Sequence, residues 1–466
     1  MSSGVTTIER SVQLPWPVET VFAWHERPGA LERLTPPWER VEVLQRTGGL
    51  EDGARIVMKV GSPVPVRWTA RHRDYERNRQ FVDEQVEGPF TRWVHYHRFE
   101  PAGPDGCVMT DRIEYTPPLG AAGALGATHL VRPRLDHLLA YRHETLRRDL
   151  ESHARFADRP RLRIAVTGAT GLIGRTLVPF LTTGGHAVVR MVRRRKAEAD
   201  EASWDWELGR IDAERLDGLD AVIHLAGENI GARWTPERRR RIRDSRGIGT
   251  RFLAETLARL TRRPRSLISA SAIGVYGNRG DESLTEGSPT PTVPSDFLAD
   301  VSREWERATE PARVAGIRVV LNRFGLVLTP AGGTLARLLP AFRLGGGGPL
   351  GDGRQYMSWV AIDDLVGAVH HGLMTESLSG PVNVTSPQPV TNREFAATLG
   401  RVLHRPAALP VPAAALRLLF GEMADVAILG STRALPERLI TSGYPFRYPT
   451  LEGALRHLLG RPSGAG

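Results

Sequence analysis

Residues Arg163 to Gly174 read R-I-A-V-T-G-A-T-G-L-I-G, and no other stretch limits the possible folds so tightly. The short apolar run Ile164 to Val166 predicts a strand. A glycine turn follows, then the helical spacing of Leu172, Val178, Phe180 and Leu181. Gly168 and Gly171 let the backbone bend sharply and come close to a pyrophosphate, and Gly174 lets helix and strand pack closely. The helix N-terminus then offers amides without acceptors and the positive end of the helix dipole. Strand, turn and helix in this order predict a dinucleotide site on Gly168, Thr170, Gly171, Leu172, Ile173 and Gly174.

The next strand, Ala187 to Val192, bears on which dinucleotide. A chain selecting NAD usually carries an acid near this strand end to accept from the ribose 2′-hydroxyl. Here Arg193, Arg194, Arg195 and Lys196 follow, with no acid before Glu198. Guanidinium forks match a 2′-phosphate in shape and charge, so NADP is expected over NAD. A solvated basic loop is the alternative.

A chain of 466 residues suggests two or three domains. Cys107 is the only cysteine, which excludes an internal disulfide and fits a reducing compartment. Met1 to Pro15 has no apolar secretory core, and no uncharged apolar run is long enough to span a membrane. The nearest candidates, Leu119 to Val131 and Ala407 to Gly430, are interrupted by polar residues or proline. A cytoplasmic location is expected. The net charge of +10 comes almost wholly from arginine, since only Lys59 and Lys196 are lysines. Arg238 to Arg241 read as a solvated helix face beside Glu237 and Asp244, and no nucleic-acid-binding signature accompanies them.

The two parts of the chain follow different patterns. Up to residue 157 strands dominate: Val12–Leu14, Val41–Gln45, Arg55–Val60, Val66–Arg73, Gln80–Glu87, Arg92–Phe99 and Cys107–Tyr115. Pro17 suits a first helical position, and Pro28 to Leu34 predicts a second short helix. Val66, Trp68, Ala70 and His72 alternate with Arg67, Thr69, Arg71 and Arg73, the period of a half-buried strand. His129 to His153 predicts a long amphipathic helix with Leu130, Leu135, Leu138, Leu139, Leu146 and Leu150 inward. Phe156 to Leu162 reads as a linker. Strands and helices then alternate, with strands at Ile164–Thr167, Ala187–Val192, Ala221–Leu225, Ser266–Ala270 and Arg318–Asn322, which predicts a doubly wound parallel sheet. The expected domains are 1–157, 158–388 and a mostly helical 389–466.

Pro15-Trp16-Pro17-Val18-Glu19-Thr20-Val21-Phe22, Gly88-Pro89-Phe90 and Tyr141-Arg142-His143 make the first part resemble the α+β helix-grip fold of the START-like, polyketide-cyclase and SRPBCC proteins. The resemblance implies a cavity for a hydrophobic or amphipathic ligand. His95, His97 and Asp111 could place polar groups in it; the other reading has them facing solvent or satisfied by neighbours. Their spacing does not suggest a metal site, and none is expected.

From Arg163 to about Pro449 the chain resembles the extended short-chain dehydrogenases/reductases with a Rossmann fold, the group of the sugar-nucleotide epimerases. Asp220 to Gly227, Ser269-Ala270-Ser271, Val275-Tyr276-Gly277, Thr285 to Pro289, Gly351 to Gln355 and Asp363-Asp364-Leu365 carry that likeness. Arg233-Trp234-Thr235, Ser245-Arg246, Gly346 to Gly353, Ser358-Trp359 and Pro381 to Thr385 are similar to the atypical epimerase family proteins, which have their own C-terminal extension. The resemblance adds Leu225, Ala226, Gly227, Ser269 and Ser271 to the cofactor site. It also implies a tyrosine and a lysine four residues later for proton transfer. The matching segment, Ser295 to Val301, has Phe297 and Val301 in those places. Neither lysine lies beyond Lys196, so no such pair exists in this part of the chain. Phenylalanine has no proton to give and valine no charge. Ser271 remains as a hydroxyl to orient a substrate or cap its strand. Tyr276 offers a phenol and is, with Ser271, a candidate catalytic residue and proton donor, in a stretch where tyrosine usually packs the loop. Three readings follow: an NADP-binding, epimerase-like oxidoreductase of unknown small-molecule substrate, a nucleotide-binding sensor or scaffold without turnover, and a cyclase or carrier with its chemistry in the N-terminal cavity.

Overall fold

A computed structural model describes residues 5–61, 64–118, 131–194, 198–291 and 296–461. The expected helix start at His129 and Leu130, the apolar run 119–130, Arg195, Lys196 and Ser295 lie outside the described residues. The chain divides into two compact units. The first is Met1–Ala157 with Thr182–Gly185 and Leu459–Gly466; the second is Asp158–Leu181 with His186–Leu458.

The first unit is a seven-stranded antiparallel sheet. Its strands are β1 (Thr6–Leu14), β2 (Val41–Thr47), β3 (Arg55–Val60), β4 (Val66–Glu76), β5 (Gln80–Glu87), β6 (Arg92–Pro101) and β7 (Cys107–Thr116), in the order β1-β7-β6-β5-β4-β3-β2. Helices α1 (Val18–Glu26) and α2 (Ala30–Leu34) follow β1, and the long α3 (Arg132–Ala154) follows β7. β1 starts earlier than its apolar end suggests, because the polar segment from Thr6 pairs with β7 from Thr6↔Tyr115 to Leu14↔Cys107. Pro17 caps α1 rather than opening it, with ψ of 151°. Gly29, at φ 96°, makes the left-handed turn that starts α2 at Ala30. Leu135, Leu139, Leu146 and Leu150 on α3 are buried, and Phe22 meets Phe99 edge-on at 5.1 Å within the core. Cys107 is fully buried there, with its thiol pushed up to about 11 by burial and the Glu19 charge.

The second unit is an eight-stranded sheet. Its strands are β8 (Arg163–Thr167), β9 (Ala187–Val192), β10 (Glu201–Asp205), β11 (Arg210–Ile211), β12 (Ala221–His224), β13 (Ser266–Ala272), β14 (Arg318–Phe324) and β15 (Gly380–Val384). They lie in the order β11-β10-β9-β8-β12-β13-β14-β15, parallel except for the β10–β11 pair. The main helices are α4 (Gly174–Thr183), α5 (Pro236–Arg259), α6 (Phe297–Arg307), α7 (Ile362–Met374), α8 (Asn392–Leu403), α9 (Ala413–Phe420) and α10 (Leu451–Leu458). Their ends follow local chemistry. Thr235 accepts from the Arg238 amide at α5, Asp296 from Ala299 at α6, and Thr391 with Glu394 forms a capping box at α8. Beyond residue 388 the described chain is chiefly α8, α9 and α10, with two short strands, Val390–Thr391 pairing with Tyr356–Met357 and Arg433–Ala434 pairing with Ser283–Leu284. On α5, Arg238 and Arg241 pair with Glu228 and Arg239 with Glu422, rather than with Glu237 and Asp244. Among the described residues no helix is long and apolar enough to cross a membrane.

Candidate functional site

In the second unit the strand order runs outward in both directions from β8 and β12. A crevice therefore opens past their C-terminal ends, the switch point where ligands of open α/β sheets bind. The glycine turn lies there. Gly168 has φ of +67°, and a Cβ on it would come within 2.9 Å of the Leu225 carbonyl carbon. A Cβ on Gly174 would lie 2.3 Å from the Gly168 oxygen, so this glycine packs the turn onto itself rather than helix onto strand. A Cβ on Gly171 meets only the Gly168 oxygen, at 3.1 Å, and otherwise points into open space. Thr170 and Gly171 are exposed, and the amides of Leu172, Ile173 and Gly174 find no acceptor among the described residues. Amides without acceptors at a helix start are the arrangement that anion sites use. Leu172 packs towards Gly332, where an added Cβ would be 2.8 Å from its Cδ1.

Leu225 and Ala226 follow β12, and their amides donate to Thr167 Oγ1 at 3.1 and 3.2 Å. His224 lies buried between Thr167 and Thr250, at 2.8 and 2.9 Å from their hydroxyls. Burial and the Arg246 charge push its imidazole down to about 3. Arg246 itself lies over Gly227, 3.2 Å from where a Cβ would stand. Burial pulls its guanidinium down to about 10, against the opposing pull of Glu228.

The arginines after β9 divide in a way their run did not foretell. Arg194 is taken up by Glu201, through Nε at 2.9 Å and through Nη2, so it is not the free 2′-phosphate ligand expected. Arg193 is exposed and forms no ion pair among the described residues. Ser269 is buried and bonds the Ala270 carbonyl. Ser271 Oγ donates to Glu306 Oε1 at 2.7 Å. Arg323 holds both oxygens of Glu306, at 2.8 and 2.9 Å, and donates from Nη1 to the Tyr276 hydroxyl at 2.9 Å. That hydroxyl also lies 2.8 Å from Asn383 Oδ1 and 2.9 Å from the Thr285 carbonyl. Tyr276 is therefore a fully enclosed packing residue, which corrects its selection as a proton donor. Phe297 and Val301 are buried against Ile242, with Trp234 edge-on to the Phe297 ring at 5.0 Å.

The first unit holds a cavity of about 860 Å³ between its sheet and α3. Its lining is largely apolar, including Met58, Trp68, Phe90, Trp93, Ile113 and Leu138. Into this wall the strand register brings a cluster of acids and imidazoles. His72 pairs with Asp83, Asp83 with His95, and His97 with Asp111 across β4, β5, β6 and β7. Asp111, 1% exposed, lies 2.9 Å from His95 Nε2, 2.7 Å from His97 Nδ1 and 2.7 Å from His143 Nε2. Asp83 lies 2.5 Å from His72 Nε2 and 3.2 Å from His97 Nε2. Burial alone would lower His97, but the flanking aspartates outweigh it and push the ring up to about 9. Burial and the His97 charge push His95 down to about 4. Both aspartates are held well below the usual carboxylate range: burial opposes this, and the imidazoles prevail. His95, His97 and Asp111 thus do not face solvent. Asp83, His72 and His143 were not foreseen; the alternation on adjacent strands was the available signal, and it needs the register to be read.

Residues 14–138 match the family profile for polyketide cyclase / dehydrase and lipid transport, 164–384 the NAD dependent epimerase/dehydratase family, and 411–458 a domain of unknown function, DUF1731. An epimerase family protein of Mycobacterium bovis is 43% identical over 300 residues, 64% of this chain and 98% of that protein. The solved nucleoside-diphosphate sugar epimerase of Corynebacterium glutamicum is 34% identical, with TM-score 0.80 over 97% of this chain and 90% of that one. The human epimerase family protein SDR39U1 (isoform 2), solved with NADPH, is 31% identical, with TM-score 0.57 over 64% of this chain and 99% of that one.

Proposed function

Since the chain belongs to the epimerase family proteins, we propose that its second unit is an NADPH-dependent oxidoreductase acting on a small carbonyl or sugar substrate without a tyrosine–lysine pair. The open Cβ direction of Gly171 beside three unpartnered amides carries this reading. The exposed Arg193, unpaired among the described residues, and the NADPH in the human relative's structure favour the phosphorylated cofactor. When bound, the cofactor supplies or takes up a hydride. The chain's own part is to cradle the pyrophosphate on the α4 amides, hold the 2′-phosphate with Arg193, and orient substrate oxygen with Ser271. Because Ser271 gives its proton to Glu306, its lone pairs accept from a substrate hydroxyl beside the reacting carbonyl, and the proton that follows the hydride onto the carbonyl oxygen comes from water. The first unit adds a cavity for an apolar ligand, in keeping with its lipid-transport profile.

The test is NADPH oxidation across a panel of carbonyl compounds and nucleoside-diphosphate sugars. Ser271→Ala is expected to lower hydride transfer about a hundredfold and leave NADPH affinity unchanged, with NADH binding more weakly than NADPH. Equal affinity for the two cofactors would remove the NADP assignment. The burial of Phe297 and Val301 favours one rival, a nucleotide-binding sensor without turnover. Absence of cofactor oxidation with every substrate, while the unaltered chain still binds NADPH, would overturn the oxidoreductase reading in favour of that rival.

A further inference from the structure

The cavity of the first unit carries a feature that neither its family profile nor the proposed reaction uses. Asp83, His95 and His97 all line it, and one donor atom from each lies within 4.8 Å of the other two. His95 presents Nε2 to Asp111 and His97 presents Nδ1, so His95 Nδ1 and His97 Nε2 are the ring nitrogens turned away from that carboxylate. Asp111 and His143 are not part of the cavity lining and stand behind this group.

Two aspects of the geometry point to a cation. The first is a distance. Asp83 Oδ2 and His97 Nε2 are 3.2 Å apart. A hydrogen bond spans this distance at the long end of its range, and so do two ligands of one ion. Four ligands at ~2.0–2.1 Å from a tetrahedral ion stand about 3.3 Å from one another, and the observed separation fits that edge. The second is the supporting layer. A metal-bound histidine almost always gives its other ring nitrogen to a carboxylate or carbonyl, which fixes tautomer and orientation. Asp111 serves both imidazoles in this way, and His72 holds the second oxygen of Asp83 at 2.5 Å.

We propose that Asp83, His95 and His97 bind one divalent transition-metal ion of the zinc type, oriented by Asp111 and His72, with its remaining coordination position open to the apolar cavity. Two imidazoles and one carboxylate are donors such an ion accepts. The two aspartates balance its charge. Arg142 and His25 also line the cavity, and both interact electrostatically with the cluster. Glu84, which follows Asp83 on β5, lines the cavity as well. The fourth position would receive water or an oxygen of the cavity ligand.

The probe is Co(II), added to the full-length, tag-free chain after treatment with a chelator and dialysis, and read by its visible d–d absorption. One equivalent is expected to saturate the signal, and Zn(II) is expected to displace it. Asp83→Asn and His95→Gln, each checked by thermal unfolding, should lose the absorption. Asp111→Asn should weaken binding by about 10- to 100-fold. His25→Gln, on the cavity wall outside the ligand group, should bind as the unaltered chain does. If the unaltered chain gives no saturable absorption at one equivalent, the site does not exist. If Asp83→Asn and His95→Gln bind Co(II) as tightly as the unaltered chain, the ion sits elsewhere and the assignment is overturned.

Discussion

At the residue scale, the three glycines of the turn have separable jobs. Gly174 has backbone atoms where a side chain would go, and Gly171 has almost nothing. Gly171→Val should therefore abolish NADPH binding in calorimetric titration and leave the thermal midpoint close to that of the unaltered chain. Gly174→Val should lower the midpoint itself. A second residue-scale consequence concerns pH. His224 takes up a proton only near pH 3 in the fold, against 6.5 when unperturbed. Between those values the unfolded chain binds more protons than the folded one, so stability falls as pH drops from 6.5 towards 3. His25 and His95, pushed down to about 4, act in the same direction. His224→Asn should make thermal stability fall less steeply between pH 7 and pH 4.5, and an unchanged slope would show that His224 does not contribute.

At the scale of elements, one network joins β13, α6, β14 and the turn after β13. Glu306 on α6 is its centre, with Ser271, Arg323 and, through Arg323, Tyr276 around it. Removing one partner of a buried pair leaves an uncompensated charge, at a cost of about 3–5 kcal/mol. Arg323→Met should lower unfolding free energy by that order in denaturant titration, and Arg323→Met with Glu306→Leu should recover much of it. This scale also shows what the sequence could not reveal. The glycine turn was legible because strand, turn and helix are contiguous and their chemistry is local. Arg194 was misread because its partner, Glu201, returns on β10, the neighbour of β9. Tyr276 was misread because its enclosure depends on Arg323 and Asn383, which are distant in sequence. Glu306 belongs to no motif and was missed. The His–Asp cluster needed the pairings His72↔Asp83, Asp83↔His95 and His97↔Asp111, and those follow from turn lengths more than from any single strand.

At the scale of the whole molecule, the antiparallel and doubly wound sheets were both legible, because alternation with period two gives way to alternating strands and helices, and the helix-grip arrangement followed from the resemblance carried by Pro15 to Phe22, Gly88 to Phe90 and Tyr141 to His143. The first unit has its own core of Leu14, Phe22, Phe99, Met109 and Leu146. It also has a buried ion pair, Arg33 with Asp149 at 2.7 Å, between α2 and α3. A fragment of residues 1–157 should therefore melt cooperatively and bind an apolar fluorescent probe with saturation. A broad, non-cooperative melt would mean that Thr182–Gly185 or Leu459–Gly466 is needed to complete that unit.

Cys107 is the chain's single cysteine, enclosed and held as an un-ionised thiol at neutral pH. Oxidants and maleimides act on accessible thiolates, so neither has a target on the native surface. Any cysteine introduced at an exposed position becomes the only reactive one. A fluorophore or spin label placed there would report cavity occupancy or nucleotide binding without background, in a protein whose own thiol needs no removal.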